Sequence, residues 1–141
     1  MGKLKELEIA RKILKNYRES LKKSYSEAPP EINSLLSHLN DNLYEKNVSI
    51  QEIKNRNHSY NNNISTQFSH HVGLSPKQYI LKHRLLVAKQ ILVDEKLKNL
   101  RIVSIAIEIG FSGKGAFNHA FKKAFGITPN YWRMKKTKRK K

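Results

Sequence analysis

The sequence contains an internal repeat, and this repeat constrains the fold more than any other feature. Two stretches about 52 to 53 residues apart share one order of features: an apolar-striped segment, a turn, a second apolar-striped segment, a glycine and a proline-started segment. Each copy predicts a short helix, a tight turn and a second helix, which is the helix-turn-helix arrangement. The matching positions are Phe68 and Phe121, Gly73 and Gly126, and Ser75-Pro76 and Thr128-Pro129.

Apolar residues recur every three or four positions along nearly the whole chain, and no stretch sustains a strict alternation of apolar and polar residues. The pattern predicts an all-α fold with two helix-turn-helix subdomains, at about residues 49–73 and 102–126. The segment between them, about residues 76–95, is apolar on more than one side, and such a helix must be covered on more than one side. It therefore predicts a long linker helix packed between the two subdomains.

Residues 1–30 predict an N-terminal amphipathic helix that Pro29 and Pro30 end. Its stripe allows two interpretations: a short coiled coil that forms a weak homodimer through residues 3–25, or a helix that folds back over the first subdomain. Tyr17 and the small Ala10 suit a dimer seam poorly, which favours the second. The stripe residues are Leu4, Leu7, Ala10, Leu14, Tyr17 and Leu21.

The charge of the chain is high and unevenly placed. The chain has 28 Lys and Arg against 11 Asp and Glu, a formal net charge of +17. Residues 76–141 carry +14 of this charge, whereas residues 31–75 carry −1. Such an excess indicates a polyanionic partner. The basic tail, residues 134–141, is interpreted either as a solvated tail or as a contact to phosphate.

Several classes of site are excluded by residue type. The chain has no cysteine, so disulfides, thiolate zinc sites and cysteine nucleophiles are ruled out. The six histidines lack a metal-ligand spacing beside a carboxylate, and no phosphate-binding glycine loop or catalytic triad order occurs. We therefore expect that the chain binds no metal and no cofactor and is not an enzyme. Without a membrane-spanning run or a secretory signal, the expected location is the cytoplasm, in association with the nucleoid, with no membrane partner.

The second copy contains a specific combination of residues at fixed offsets: Ile105-Ala106, Gly110-Phe111-Ser112, Phe117, Phe121-Lys122-Lys123, Gly126, Thr128-Pro129 and Tyr131. This combination resembles the second helix-turn-helix of AraC-type transcription regulators, and the resemblance extends over residues 31–133. It implies two helix-turn-helix subdomains joined by a linker helix, with recognition helices in adjacent major-groove segments. It also implies double-stranded DNA at promoter sites as a partner, and RNA polymerase as a further one.

Two departures from the family lie in the first copy. Lys54 stands where the family usually has alanine, and Asn57 where it usually has an apolar residue. Both would thin the core of that subdomain, so we expect it to be the less stable half. Residues 1–30 also leave no room for the effector or receiver domain that most such regulators carry, so no pocket of that kind is expected in this chain.

The second copy carries the stronger candidate DNA contacts. Lys side chains can donate to guanine, and Asn can pair with adenine through two hydrogen bonds. Lys122 and Lys123 are expected on phosphate, and His119 stands where the family often has arginine. Gly115 either lets the backbone approach DNA closely or is merely tolerated. The candidates on the face opposite Phe117 and Phe121 are Lys114, Gly115, Asn118, His119, Lys122 and Lys123.

The first copy presents uncharged candidates: Asn61, Asn62, Ser65 and Thr66. They can read adenine and the thymine methyl group but release no counterions. This copy therefore either adds modest selectivity or hardly touches DNA. The leading hypothesis is a sequence-specific transcription regulator. The alternatives are an architectural, nonspecific nucleic-acid binder, and a protein-interaction adaptor that keeps the fold.

Overall fold

The structure is a computed structural model that describes residues 2–22, 27–46, 48, 51, 53 and 63–138. These residues form seven α-helices and no strand, so the all-α prediction is confirmed. No helix in this part of the chain is long and apolar enough to cross a membrane. In chain order the helices are α1 (Lys3–Leu21), α2 (Pro30–Asp41), α3 (Ile64–Val72), α4 (Pro76–Val93), α5 (Ile102–Glu108), α6 (Lys114–Phe125) and α7 (Pro129–Lys138).

The helix ends follow local chemistry. Ser75 and Gln78 form a reciprocal capping box at the start of α4, where the Ser75 side chain accepts from the Gln78 amide and the Gln78 side chain accepts from the Ser75 amide. Gly73 and Gly126 end α3 and α6 in the left-handed region, at φ +85° and +82°. Both glycine stops were predicted from the repeat and are confirmed.

The linker helix α4 belongs to two hydrophobic cores. Tyr79 and Ile80, near its start, are buried in the core of the first subdomain, whereas five apolar residues between Leu85 and Leu92 are buried in that of the second. The first core also includes Leu39 of α2, and the second includes Ile105 of α5. The helix is therefore covered on more than one side and connects the two subdomains.

Helix α1 packs along the linker helix and the second subdomain. Ala10 and Leu14 are buried in the second core, and only Leu21 at the C-terminal end packs against the first. The interpretation of α1 as a helix that folds back placed it over the first subdomain. That position was wrong for most of the helix. The small Ala10 side chain allows close packing, and Leu4 stays 79% exposed.

Helix α7 extends into the segment that was expected to be a basic tail, residues 134–141. It runs through Lys138, so residues 134–138 are helical. The Lys136 ammonium lies 4.6 Å from the centre of the Trp132 ring, one turn away, and such a cation–π contact stabilises this end of the helix. Lys54, Asn57 and the short helix expected from about Ser49 lie in the part of the chain that the structure does not describe, apart from single positions.

Candidate nucleic-acid interface

Helix α6 is held in place by aromatic residues on one face. Phe117 and Phe121 are fully buried, and their rings meet edge to face at 5.8 Å. Phe121 meets Phe125 in the same way at 4.7 Å, and Phe111 packs against Phe117 at 5.4 Å. Because this row fixes the rotation of α6 about its own axis, the opposite face is held towards solvent.

The solvent face of α6 carries the candidate residues of the second copy. Lys114, His119, Lys122 and Lys123 are exposed, as is Gly115, and Asn118 is partly exposed. The helix has no acidic residue. The structure therefore brings all six candidates together on one basic helix surface.

The N-terminus of α6 is open. Its N-cap residue is Gly113, and it has no side-chain capping hydrogen bond. The first amides of a helix lack partners within the helix and carry a partial positive charge. Gly115 adds no side chain in this turn, and a Cβ there would meet nothing within 4 Å. The backbone of this turn is therefore accessible to an anion.

The candidates of the first copy are only partly described. Ser65 and Thr66 lie in the first turn of α3, Ser65 partly exposed and Thr66 exposed. The opposite face buries Ile64 and Phe68 in the first core. Asn61 and Asn62 lie outside the described residues. The described candidates of the two copies thus belong to separate helices in separate subdomains.

A buried arginine that the sequence analysis missed joins the two subdomains. Arg84 of α4 is 8% exposed, and burial lowers its pKa to about 10, so it stays charged at neutral pH. Its Nε donates to the Leu43 carbonyl at 2.7 Å and Nη2 to the Glu45 carbonyl at 2.6 Å. Its Nη1 donates to the Gly110 carbonyl at 3.3 Å, in the turn of the second helix-turn-helix.

Gly110 is required by this arrangement. It has φ +105°, which side-chain-bearing residues rarely adopt, and a Cβ there would lie 2.7 Å from the Arg84 Cζ. The sequence signal for Arg84 was its place among the apolar residues of α4, of which it is the one arginine, because a buried charge needs several hydrogen bonds. Its carbonyl partners, 26 to 41 positions away, carry no such signal.

A second arginine performs a similar role within one subdomain. Arg133 of α7 donates to the carbonyls of Leu92, Leu97 and Leu100, at 3.1, 3.3 and 2.7 Å. Burial lowers its pKa. All three carbonyls belong to residues of the second core, so Arg133 closes the end of α4 against α7.

Polar contacts attach α1 to both subdomains. Arg11 and Glu108 form a two-pronged ion pair, with Nη2 to Oε1 at 2.9 Å and Nε to Oε2 at 3.1 Å, which ties α1 to α5. The Tyr17 hydroxyl and His83 Nδ1 share a hydrogen bond of 2.7 Å. Burial, with a smaller contribution from Lys82, lowers the pKa of His83 to about 4, so this histidine is neutral at pH 7.

Two helical subdomains share one linker helix, and the second contains a helix-turn-helix, α5 and α6, whose second helix has a basic exposed face. This arrangement defines a helix-turn-helix protein. A family described as a helix-turn-helix domain matches residues 59–135, more than half of the chain. Together with the relatives and solved structures below, this match shows that the chain belongs to the AraC-type family of helix-turn-helix regulators.

One relative is the virulence regulon transcriptional activator VirF of Yersinia enterocolitica, 39% identical over 64 residues, which are 45% of this chain and 22% of that protein. This chain thus spans about a fifth of that relative's length. A transcriptional regulator of Chromobacterium violaceum, described as AraC-type DNA-binding domain-containing, superposes with a TM-score of 0.61 at 26% identity, covering 76% of this chain and 92% of that one. The C-terminal domain of the response regulator AraT of Geobacillus stearothermophilus has the same fold, with a TM-score of 0.70 at 22% identity, covering 78% and 88%.

Proposed function

We propose that this chain binds duplex DNA sequence-specifically as a transcription regulator, with α6 in one major-groove segment and the recognition helix of the first subdomain in the adjacent one. The observation that carries the proposal is the exposed face of α6, which is basic, free of acids and held outward by Phe117 and Phe121. A helix of this kind can place its first turns on base edges and its flanks on phosphates.

The α6 residues divide by chemistry. Lys114 and Asn118, in the first two turns, are suited to base edges. Lys122 and Lys123, in the last turn of α6, are suited to phosphates, and the uncapped first turn can accept a further phosphate on its amides. His119 is a weaker donor at the centre of the face. The second subdomain therefore supplies most of the affinity.

The first subdomain contributes selectivity in this proposal. Ser65 and Thr66 lie at the start of α3, which has no Lys, Arg, Asp or Glu, so they add base or methyl contacts and little phosphate affinity. Asn61 and Asn62 are proposed to extend the same surface. Because the relative VirF is a transcriptional activator, we also propose RNA polymerase as a partner of this chain.

The test is selection of bound sequences from a random duplex pool at about 0.15 M salt, where specific binding exceeds nonspecific binding. We expect one enriched motif that spans two adjacent major-groove segments. A motif of half that length would assign reading to the second subdomain alone. Binding without enrichment would contradict the proposal and support an architectural role for the +17 charge, and no binding would support the adaptor.

A pair of matched variants separates the α6 surface from net charge. Replacing Lys114, Lys122 and Lys123 by alanine removes three charges from α6, and replacing Lys5, Lys12 and Lys15 removes three from the exposed side of α1. We expect the α6 variant to lose the selected motif, while the α1 variant keeps it. Equal losses in both variants would indicate nonspecific electrostatic binding.

A further inference from the structure

We propose that Arg84 is a positioning residue that fixes the relative orientation of the two helix-turn-helix subdomains, and thereby the spacing between the two DNA segments that the chain recognises. The effect on DNA spacing rests on the proposed function. The effect on subdomain orientation is a property of the protein alone and can be measured without DNA.

The Arg84 side chain contacts both subdomains from the helix between them. Leu43, whose carbonyl accepts from Nε, has its side chain fully buried in the first core. Glu45, two residues on, accepts from Nη2. Gly110, which accepts from Nη1, lies in the turn between α5 and α6 of the second subdomain. One planar group therefore holds a segment of each subdomain at hydrogen-bond distance.

This junction is stiff for three physical reasons. The guanidinium is planar, so its donors have a fixed relative geometry. The three bonds are charge-assisted, and those to Leu43 and Gly110 are buried, so breaking one of them leaves a charge or a carbonyl without its partner. The backbone of Gly110 lies so close to the guanidinium that even a methyl group would collide with it. Rotation of one subdomain against the other must therefore break this site.

Fixed subdomains require fixed DNA spacing. Each added base pair moves a binding segment by about 3.4 Å along the duplex and by about a tenth of a helical turn around it. A rigid pair of recognition helices cannot follow that change without losing contacts in one segment. Two recognition helices joined by the linker helix alone, without the Arg84 contacts, can follow part of this change in spacing.

The first experiment measures orientation in the free protein. The chain has no cysteine, so spin labels can be attached after Gln67→Cys on α3 and Ala124→Cys on α6, both exposed and outside the candidate contact sets. Pulsed electron paramagnetic resonance then measures the distribution of distances between the two labels. We expect a narrow distribution in the parent and one about twice as wide after Arg84→Met.

Arg133→Met is the matched control, because it also removes a guanidinium from three carbonyls, but within one subdomain. It should lower stability and leave the distance distribution narrow. An Arg84→Met distribution as narrow as the parent's, or an equal broadening in Arg133→Met, would overturn the proposal. Helix content by circular dichroism checks folding. If Arg84→Met is unfolded, Arg84→Lys, which keeps the charge but not the fork, takes its place in the same comparison.

The second experiment measures spacing on DNA, with the selected site and the same site lengthened by one base pair between its two segments. We expect the parent and Arg133→Met to prefer the original site by about tenfold, and Arg84→Met by less than about threefold. Unchanged discrimination in Arg84→Met would refute the effect on spacing. A parent that binds no DNA would refute the proposed function, and the label distances would then decide the orientation claim alone.

Discussion

At the residue scale, the exposed face of α6 combines side chains of two kinds. Asn118 is partly exposed above the Phe117–Phe121 row and has both a donor and an acceptor. Lys122 is fully on the surface and carries only charge and donors. Removing a group that reads base edges and removing a group that binds phosphate weaken DNA binding in different ways. The two roles can therefore be separated by mutation.

We expect Asn118→Ala to relax base preference at one position, costing about 1 to 3 kcal/mol on the best site and much less on others. Lys122→Ala should weaken binding to all sequences alike and lower the slope of log affinity against log salt by about one. Fluorescence anisotropy titrations with the selected site and single-base variants, at several salt concentrations, measure both effects.

Lys12→Ala, on the exposed side of α1, serves as the control for charge. It should leave base preference and the salt slope close to those of the parent. Equal, sequence-independent losses from Asn118→Ala and Lys122→Ala would contradict the division of roles on α6.

His83 predicts a pH dependence of stability. Its folded pKa of about 4 lies below the ordinary value of 6.5, so folding favours the neutral ring. That contribution is complete above pH 6.5 and is lost as pH falls from there to about 4, because the unfolded chain binds the proton first. For a half-buried group we expect roughly 2 kcal/mol, less than the full shift, since solvent screens it.

His83→Gln keeps a hydrogen-bond partner for Tyr17 and removes the titration. Urea unfolding at pH 7 and pH 4.5 should therefore show a smaller loss of unfolding free energy in this variant than in the parent. Both proteins contain the same carboxylates, so the difference between them isolates His83. Parallel losses would mean that the ring is accessible to protons in the folded state.

At the element scale, the two recognition elements differ in their anchoring. Helix α6 has 12 residues and rests on a row of aromatic rings that includes Phe111 and Phe125. Helix α3 has nine residues, and its buried Phe68 has one described ring partner of its own core, Tyr79, at 5.8 Å. Shorter helices with fewer packed side chains open locally at lower free energy.

We expect the amide protons of α3 to exchange faster than those of α6 by about tenfold or more, because local opening costs less there. Hydrogen exchange followed by NMR or mass spectrometry measures this directly. The protection of α4 should exceed both, since its residues are buried in the two cores. Equal protection of α3 and α6 would contradict the expectation that the first subdomain is the less stable half.

At the scale of the whole molecule, α1 acts as part of the fold. Ala10 and Leu14 are buried in the second core, and Arg11 pairs with Glu108. The Leu14 carbonyl accepts a hydrogen bond from the Tyr44 hydroxyl at 2.8 Å. The stripe that could have paired two chains is therefore buried within one. Leu4 is the member of the stripe that stays largely exposed.

We expect the chain to sediment as a monomer at micromolar concentration, because a coiled coil through α1 would have to remove Ala10 and Leu14 from their core. Sedimentation equilibrium at several concentrations tests this. Leu4→Ser, a change on the exposed side, should leave both mass and stability unchanged. A dimer that Leu4→Ser dissociates would restore the coiled-coil interpretation.

The sequence by itself determined the local structure of this protein: the helix periods, the Gly73 and Gly126 stops and the cap at Ser75 all depend on residues within a few positions of one another. The recurrence of these local features about 52 to 53 residues apart indicated the two subdomains. It also indicated the basic face of α6, because charge and period are both local properties. Its assignment of DNA contacts on that face stays a prediction.

The tertiary structure decided where the helices pack. An apolar stripe shows which side of α1 is buried but not which partner covers it, so the helix was expected on the wrong subdomain. Arg84 and Arg133 depend on backbone carbonyls 26 to 41 positions away, and every residue has such a carbonyl. Only the folded chain selects which carbonyls meet a buried guanidinium, because that choice follows from how the two cores pack around α4.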